Sequence, residues 1–163
     1  GLDTSYARIP ADMRYIASFF GKELLGEVDP AEFYAKKWNI SDRPVRRAKH
    51  FFDENARVPK MRDALIAGNA AEYMRLMNES GRSSETLLTN IVTSATDDRK
   101  LETGLYLSSK LLDGIGAWRV HGGGFAGCVQ ALMPRDAFHA YRKGMEALFG
   151  PNSCRELHIT RAK

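Results

Sequence analysis

A glycine-rich segment between two short apolar runs constrains this sequence more than any other feature. The runs are Ala117–Val120 and Cys128–Met133, and the segment between them reads HGGGFAG. Glycine loses the most backbone freedom on folding, so such a loop usually needs positive φ angles or the close approach of another group. Each apolar run has the length of a β-strand, and Pro134 closes the second. The sequence therefore predicts a strand, a glycine loop and a second strand.

The same loop has the composition of an anion-binding site. Successive exposed N–H groups in a glycine-rich loop can form a concave site, for which phosphate is the usual ligand. Residues 122–127 also match the GxGxxG pattern of dinucleotide-binding folds. That pattern requires a helix that begins inside the motif, whereas a short apolar run and Pro134 follow here. We therefore favour a β-hairpin loop over a Rossmann fold.

Size, charge and cysteine content indicate one ordinary globular domain over residues 1–163. The net charge is only +4, and acidic residues follow the basic cluster of residues 43–49, which is typical of a solvated helix face. No apolar run approaches the roughly 18 residues of a membrane span. Cys128 and Cys154 lie within apolar runs, so we expect reduced core cysteines. A cytoplasmic protein without nucleic acid or membrane partners is expected.

Apolar spacing and capping residues predict a series of helices. The first should cover residues 9–20, with Pro10 in its first turn, and Asp29 should cap a short second helix. A long third helix should be kinked at Pro59 and should bury Val45, Ala48, Phe52, Leu65 and Ile66. The predicted ranges after the second helix are 42–67, 69–79, 87–95, 99–113 and 134–149, with a turn at 80–84.

The order of elements predicts an α+β fold. Alternating apolar and polar residues over 156–160 indicate a closing strand after the last helix. Several helices would thus pack on a small antiparallel sheet of three strands. Because three strands leave an open edge, we expect a fourth strand upstream of Gly1.

Residues that could carry chemistry are scattered. The histidines make no metal-ligand spacing, and no base is placed beside Ser83-Ser84 or Asp97-Asp98, which we interpret as helix-capping residues. His50 and Glu54 share a helix face and could share a metal or a proton, but a structural hydrogen bond is the favoured interpretation. No catalytic residue and no metal ligand are predicted in this chain.

Several motifs together resemble the GHMP small-molecule kinases in their galactokinase form. GAWRVHGGGFAGC at 116–128 is similar to the family's third motif, usually GARMTGGGFGGC, from which Trp118, His121 and Ala126 depart. Residues 47–58 resemble the RAxHxxxENxRV segment, and residues 77–80 resemble the LMxxSH turn. Residues 2–7 resemble the segment that carries a sugar-contacting tyrosine.

The resemblance implies the C-terminal half of a galactokinase-like enzyme, with the ferredoxin-like C-terminal domain of GHMP kinases. The full-length enzyme would transfer the γ-phosphate of ATP to the anomeric hydroxyl of galactose. Tyr6 would then face the sugar. The residues expected beside the nucleotide and the phosphate loop are Gly122, Gly123, Gly124, Phe125, Ala126 and Gly127.

The family's phosphate loop, catalytic aspartate and N-terminal sugar-recognition segment are not found in this sequence. ATP and Mg²⁺ are therefore expected to bind mainly through a missing N-terminal kinase domain, and this fragment alone should be inactive. Two alternatives are a non-catalytic module of the same fold that senses galactose or a nucleotide, and another GHMP kinase that acts on a different small alcohol.

Overall fold

The structure is a computed structural model that describes residues 1–157. Within that range it consists of α-helices and one two-stranded antiparallel sheet. A π-helical turn, Ser84–Leu88, directly follows the fourth helix. The elements are α1 Leu2–Ser18, α2 Pro30–Ala35, α3 Arg43–Ile66, α4 Ala70–Ser83, α5 Lys100–Leu111, β1 Ala117–His121, β2 Cys128–Leu132 and α6 Phe138–Phe149, with single 3-10 turns at Leu25–Glu27 and Arg135–Ala137.

Capping residues predicted several helix starts correctly. The Asp29 carboxylate accepts a hydrogen bond from the backbone N–H of Ala31 at 2.8 Å. At the start of α4, the Asn69 side-chain oxygen accepts a hydrogen bond from the Glu72 N–H at 3.0 Å. These bonds satisfy N–H groups that have no partner within the first turn of a helix. At α5 the Asp98 carboxylate accepts from the Lys100 N–H at 2.8 Å, although the N-cap position itself is Arg99.

The start of α1 differs from the prediction. The helix begins at Leu2, so Pro10 lies inside it rather than in its first turn. No residue of 1–10 is fully buried, so this part of the helix lacks the apolar periodicity on which the prediction relied. Helix α3 likewise continues through Pro59. The kink predicted there stays a prediction.

The turn at 80–84 and the helix at 87–95 were wrong predictions. Helix α4 continues to Ser83, the π-helical turn follows, and the chain leaves it at Thr89, whose φ is +56°. Ser80 and Ser83 resemble turn residues in sequence, but their side chains are buried and bonded to α3. A buried, hydrogen-bonded serine is compatible with a helix interior, so tertiary contacts overrode the local pattern.

A first core joins α1, α2 and α3. The predicted core residues Val45, Ala48 and Phe52 are buried there, as expected. Leu65 and Ile66 were predicted to be buried but are 53% and 78% exposed, because the last turn of α3 extends past this core. The other buried members of the core are Ile16, Ala17, Leu25, Val28 and Phe33.

Two further clusters of buried residues lie at the sheet, one of Ile91, Leu101 and Val120 and one of Leu112, Tyr141 and Met145. Strands β1 and β2 pair in antiparallel register, with Ala117 opposite Leu132 and His121 opposite Cys128. This confirms the predicted hairpin. Helix α4 packs against β1, and the Asn78 carboxamide accepts from the Trp118 N–H at 2.9 Å and donates to the Gly116 carbonyl at 3.3 Å. The side chain of Asn78 thereby satisfies backbone groups of β1.

The observed α+β architecture agrees with the predicted class, but the three-strand and ferredoxin-like details are not confirmed. Glu156 and Leu157 have no regular secondary structure, and the rest of the predicted closing strand lies outside the described residues. The cysteine prediction was wrong in part. Both cysteines are free thiols, but Cys128 is exposed on β2 and Cys154 is only half-buried. No helix within residues 1–157 is long and apolar enough to cross a membrane.

Candidate functional site

The glycine loop, residues 122–127, connects β1 to β2. Gly122 and Gly124 have φ angles of +73° and +82°, and Phe125 follows at +52°. The backbone N–H of Gly127 donates to the Gly124 carbonyl at 2.9 Å and closes the turn. The positive φ angles expected from the glycine content are therefore present. Gly127 allows a close contact between two parts of the backbone, since a Cβ at this position would lie 2.9 Å from the His121 carbonyl oxygen.

Tyr6 of α1 packs against the inner side of this loop. Its hydroxyl donates to the Gly124 carbonyl oxygen at 2.8 Å. Its ring meets the Phe125 ring edge-on, with centroids 5.1 Å apart. A Cβ at Gly123 would lie 2.9 Å from the Tyr6 ring, so only glycine allows this approach. The tyrosine that the resemblance assigns to the sugar is thus bound to the loop, with 36% of its surface exposed.

Asn90 holds the loop from a second direction. Its carbonyl oxygen accepts from the Phe125 N–H at 2.6 Å, and its side-chain amide donates to the Gly123 carbonyl at 3.3 Å. A Cβ at Gly124 would lie only 2.0 Å from the Asn90 carbonyl oxygen. Asn90 is 1% exposed. Sequence reasoning missed it, because it fell inside a predicted helix and no local pattern links it to a loop more than thirty residues later.

The outer side of the loop remains accessible. Gly122, Gly123, Ala126 and Gly127 are exposed, whereas Gly124 and Phe125 are buried. Within residues 1–157, no acceptor bonds the backbone N–H groups of Gly122, Gly123 or Ala126. Free N–H groups on one exposed loop are the donors that an anion-binding concavity requires. The loop is therefore held on its inner side by Tyr6, and on its outer side it has exposed residues, three of which carry unbonded N–H groups.

Arg47 of α3 supports both contacts to the inner face. Its guanidinium donates to Asp12 of α1 at 2.7 Å and to the Leu88 carbonyl at 3.0 Å, two residues before Asn90. Arg47 is 4% exposed. Burial raises the pKa of Asp12, but hydrogen bonds and charge from Arg43 and Arg47 outweigh burial and hold this pKa below its ordinary value. The buried ion pair thus fixes α1 and the segment before Asn90 on α3.

Two other polar residues of segment 47–58 in α3, His50 and Glu54, contact α4. The Nδ1 atom of His50 lies 2.8 Å from the Ser83 hydroxyl, so Ser83 does not cap a helix as we predicted. Glu54 accepts from the Ser80 hydroxyl at 2.6 Å and pairs with Arg57. His50 does make a structural hydrogen bond, but its partner is Ser83, so the predicted pairing with Glu54 was wrong.

His50 is held neutral by its surroundings. Burial lowers its pKa to about 4, and the positive charges of Arg57 and Arg119 act in the same direction. Over residues 1–157, no group of three His, Cys, Asp or Glu side chains is placed to hold a metal ion.

The fold and the loop together define a class. No protein-family model matches this sequence. The structure, however, has a galactokinase-like GHMP fold. One solved structure that it resembles is the galactokinase of Lactococcus lactis, which was crystallised in complex with galactose. The two share 26% sequence identity at a TM-score of 0.70, and the match covers 89% of this chain and 38% of the galactokinase. The chain thus spans well under half of the length of that enzyme.

Proposed function

We propose that this chain is the C-terminal half of a galactokinase-like sugar kinase, and that the outer face of the glycine loop contacts the nucleotide phosphates or the phosphate loop of an N-terminal domain. The observation that carries this proposal is the set of exposed, unbonded N–H groups at Gly122, Gly123 and Ala126. The likeness to a galactokinase supports the choice of ATP and galactose as substrates.

The chemistry that this half would supply is positioning. Phosphoryl transfer depends mainly on alignment and on stabilising charge on the transferred group. Backbone N–H groups that are already oriented can stabilise that charge without reorganising. Mg²⁺, bound through the other domain, would neutralise charge on the β- and γ-phosphates. No general base or nucleophile is assigned to this half, so the 163-residue chain alone should release no ADP from ATP and galactose.

A charge substitution on the outer face tests the loop. Ala126 is exposed, so Ala126→Glu places a carboxylate where the phosphates are proposed to lie. In the full-length enzyme we expect KM for ATP to rise about tenfold, the effect of roughly 1.4 kcal/mol, with KM for galactose unchanged. Ala126→Gln has nearly the same shape without the charge and should leave both constants near wild type. Equal effects of the two substitutions would contradict the proposal.

Tyr6 is proposed to contact the sugar through the exposed part of its ring. Tyr6→Ala should then raise KM for galactose more than KM for ATP, whereas a role only in holding the glycine loop predicts the larger rise in KM for ATP. The same assays address the sensing alternative. Galactose binding by the full-length protein, without ADP release under any condition tested, would replace the kinase proposal with a sensor.

A further inference from the structure

A small cavity lies between α4, α5 and β1, away from the outer face of the glycine loop. Its volume is about 140 Å³, many times the roughly 10–15 Å³ that one water molecule needs. It is smaller than the approximately 300 Å³ at which pockets for drug-sized ligands begin. Size therefore limits an occupant to a small molecule.

Arg119 of β1 contributes an incompletely neutralised cation to the cavity wall. Its side chain is 27% exposed, and its Nε donates to the Val120 carbonyl at 3.0 Å. The Glu54 carboxylate stands 3.8 Å from its NH1 atom, beyond hydrogen-bond distance, and already accepts from Ser80. Burial lowers the pKa of Arg119, as expected for a guanidinium that has lost water without gaining a close counter-ion.

A second guanidinium, that of Arg82, lines the same cavity. In the described part of the chain, the Arg82 guanidinium has no hydrogen-bond acceptor and no ion-pair partner. The residues that line the cavity include two arginines and one carboxylate, that of Glu85. The lining therefore has a net positive charge. A cavity with an excess of cationic side chains favours an anion.

The rest of the wall combines Asn78 and Gly81 of α4 with two apolar side chains. Trp118 and Leu105 supply its apolar surface. The backbone of Trp118 is fixed by its hydrogen bond to Asn78 and by close packing on Gly81, where a Cβ would lie 2.9 Å from the Trp118 carbonyl oxygen. An indole beside arginines suits a ligand with an apolar body and an anionic group.

We propose that this cavity binds a small organic carboxylate, with the carboxylate on Arg119 and Arg82 and the apolar body against Trp118 and Leu105. The site requires neither ATP nor sugar, so it stands or fails independently of the kinase proposal. Arg–carboxylate contacts are among the stronger hydrogen bonds in proteins, and the apolar wall adds selectivity over inorganic anions.

Calorimetric titration of the 163-residue chain with benzoate and with benzamide tests the site. The two probes have nearly the same shape and differ in charge. We expect saturable binding of benzoate and none of benzamide over the same concentration range. Arg119→Gln should weaken benzoate binding about tenfold or more, the loss of roughly one charge-assisted hydrogen bond, and Arg82→Gln should weaken it by a smaller factor.

Two controls separate binding from folding and from general charge. Arg62→Gln removes an exposed guanidinium of α3 and should leave benzoate affinity unchanged. In a Trp38→Phe background, Trp118 is the sole tryptophan, and its emission should saturate at the calorimetric affinity. Arg119→Gln must retain the wild-type circular dichroism, and Arg82→Gln, at an exposed position, provides a second test if it does not.

Three results would overturn the proposal. They are equal binding of benzamide and benzoate, no benzoate binding by the folded chain, and inorganic phosphate binding more tightly than benzoate. The last result would retain a cationic site but remove the assigned class of ligand.

Discussion

The hydroxyl of Tyr6 donates a hydrogen bond at 2.8 Å to the carbonyl oxygen of Gly124, which lies 118 residues later in the chain. The bond joins the first helix to the glycine loop. It makes the conformation of the loop depend on the packing of α1, and therefore on the buried ion pair of Asp12 and Arg47 beneath that helix.

Tyr6→Phe removes this hydrogen bond and keeps the ring contact with Phe125. We expect the free energy of unfolding to fall by about 1 kcal/mol, the usual net value of one such bond. Urea unfolding of the 163-residue chain measures it. The control is Tyr106→Phe, at a 63% exposed position, which should change stability by less than about 0.5 kcal/mol. Equal changes in the two variants would show that the bond does not stabilise the fold.

Gly124→Ala and Gly122→Ala form a matched pair within the loop. Both residues have positive φ, which alone disfavours alanine by about 1–2 kcal/mol. At Gly122 the added Cβ meets open space, whereas at Gly124 it would lie 2.0 Å from the Asn90 carbonyl oxygen. We therefore expect Gly124→Ala to be clearly more destabilising in urea unfolding, and to shift the Asn90 amide resonance. Similar losses of unfolding free energy in both variants would contradict the inference that Asn90 holds the loop at Gly124.

Asp12→Leu leaves Arg47 buried without its carboxylate partner. Removing one member of a buried ion pair typically destabilises by about 3–5 kcal/mol. We expect the double variant Asp12→Leu with Arg47→Met to recover much of that loss, because the remaining partner of Asp12, Arg43, has a side chain that is 45% exposed and can be solvated. A double-mutant cycle by urea unfolding checks this. As a control, Asp63→Ala breaks an exposed ion pair and should change stability by about 1 kcal/mol at most.

His50 predicts a pH dependence of stability. Its pKa is about 4 in the fold and near 6.5 in the unfolded chain, so the unfolded state binds more protons between these values. The contribution of His50 to the free energy of unfolding is therefore fully present above pH 6.5. It is lost as the pH falls towards 4, by up to about 3 kcal/mol. Asp12, whose pKa is lowered from 3.8, acts below this window.

His50→Asn isolates that contribution, since an asparagine amide can bond the Ser83 hydroxyl from the position of Nδ1 without titrating. The slope of unfolding free energy between pH 6.5 and 4.5 should be smaller in this variant than in the wild type. Urea unfolding at several pH values measures both slopes. An unchanged slope would assign the pH dependence to other groups.

Several local features were predictable from sequence, because their partners lie within a few residues. Asp29 and Asn69 cap helices through bonds to residues two and three positions later. The hairpin also follows from nearby residues. Where partners are distant, the same reasoning failed. Ser83 was interpreted as a cap, yet it bonds His50, 33 residues earlier.

The candidate site divides in the same way. The sequence by itself determined that residues 122–127 form a glycine loop with positive φ angles between two strands, since these are backbone properties of the residues themselves. Only the tertiary structure decided which face of the loop is open, because that depends on Tyr6 and Asn90. These residues reach the loop through the packing of α1 on α3 and the bond from Arg47 to the Leu88 carbonyl, and no short stretch of sequence encodes either contact.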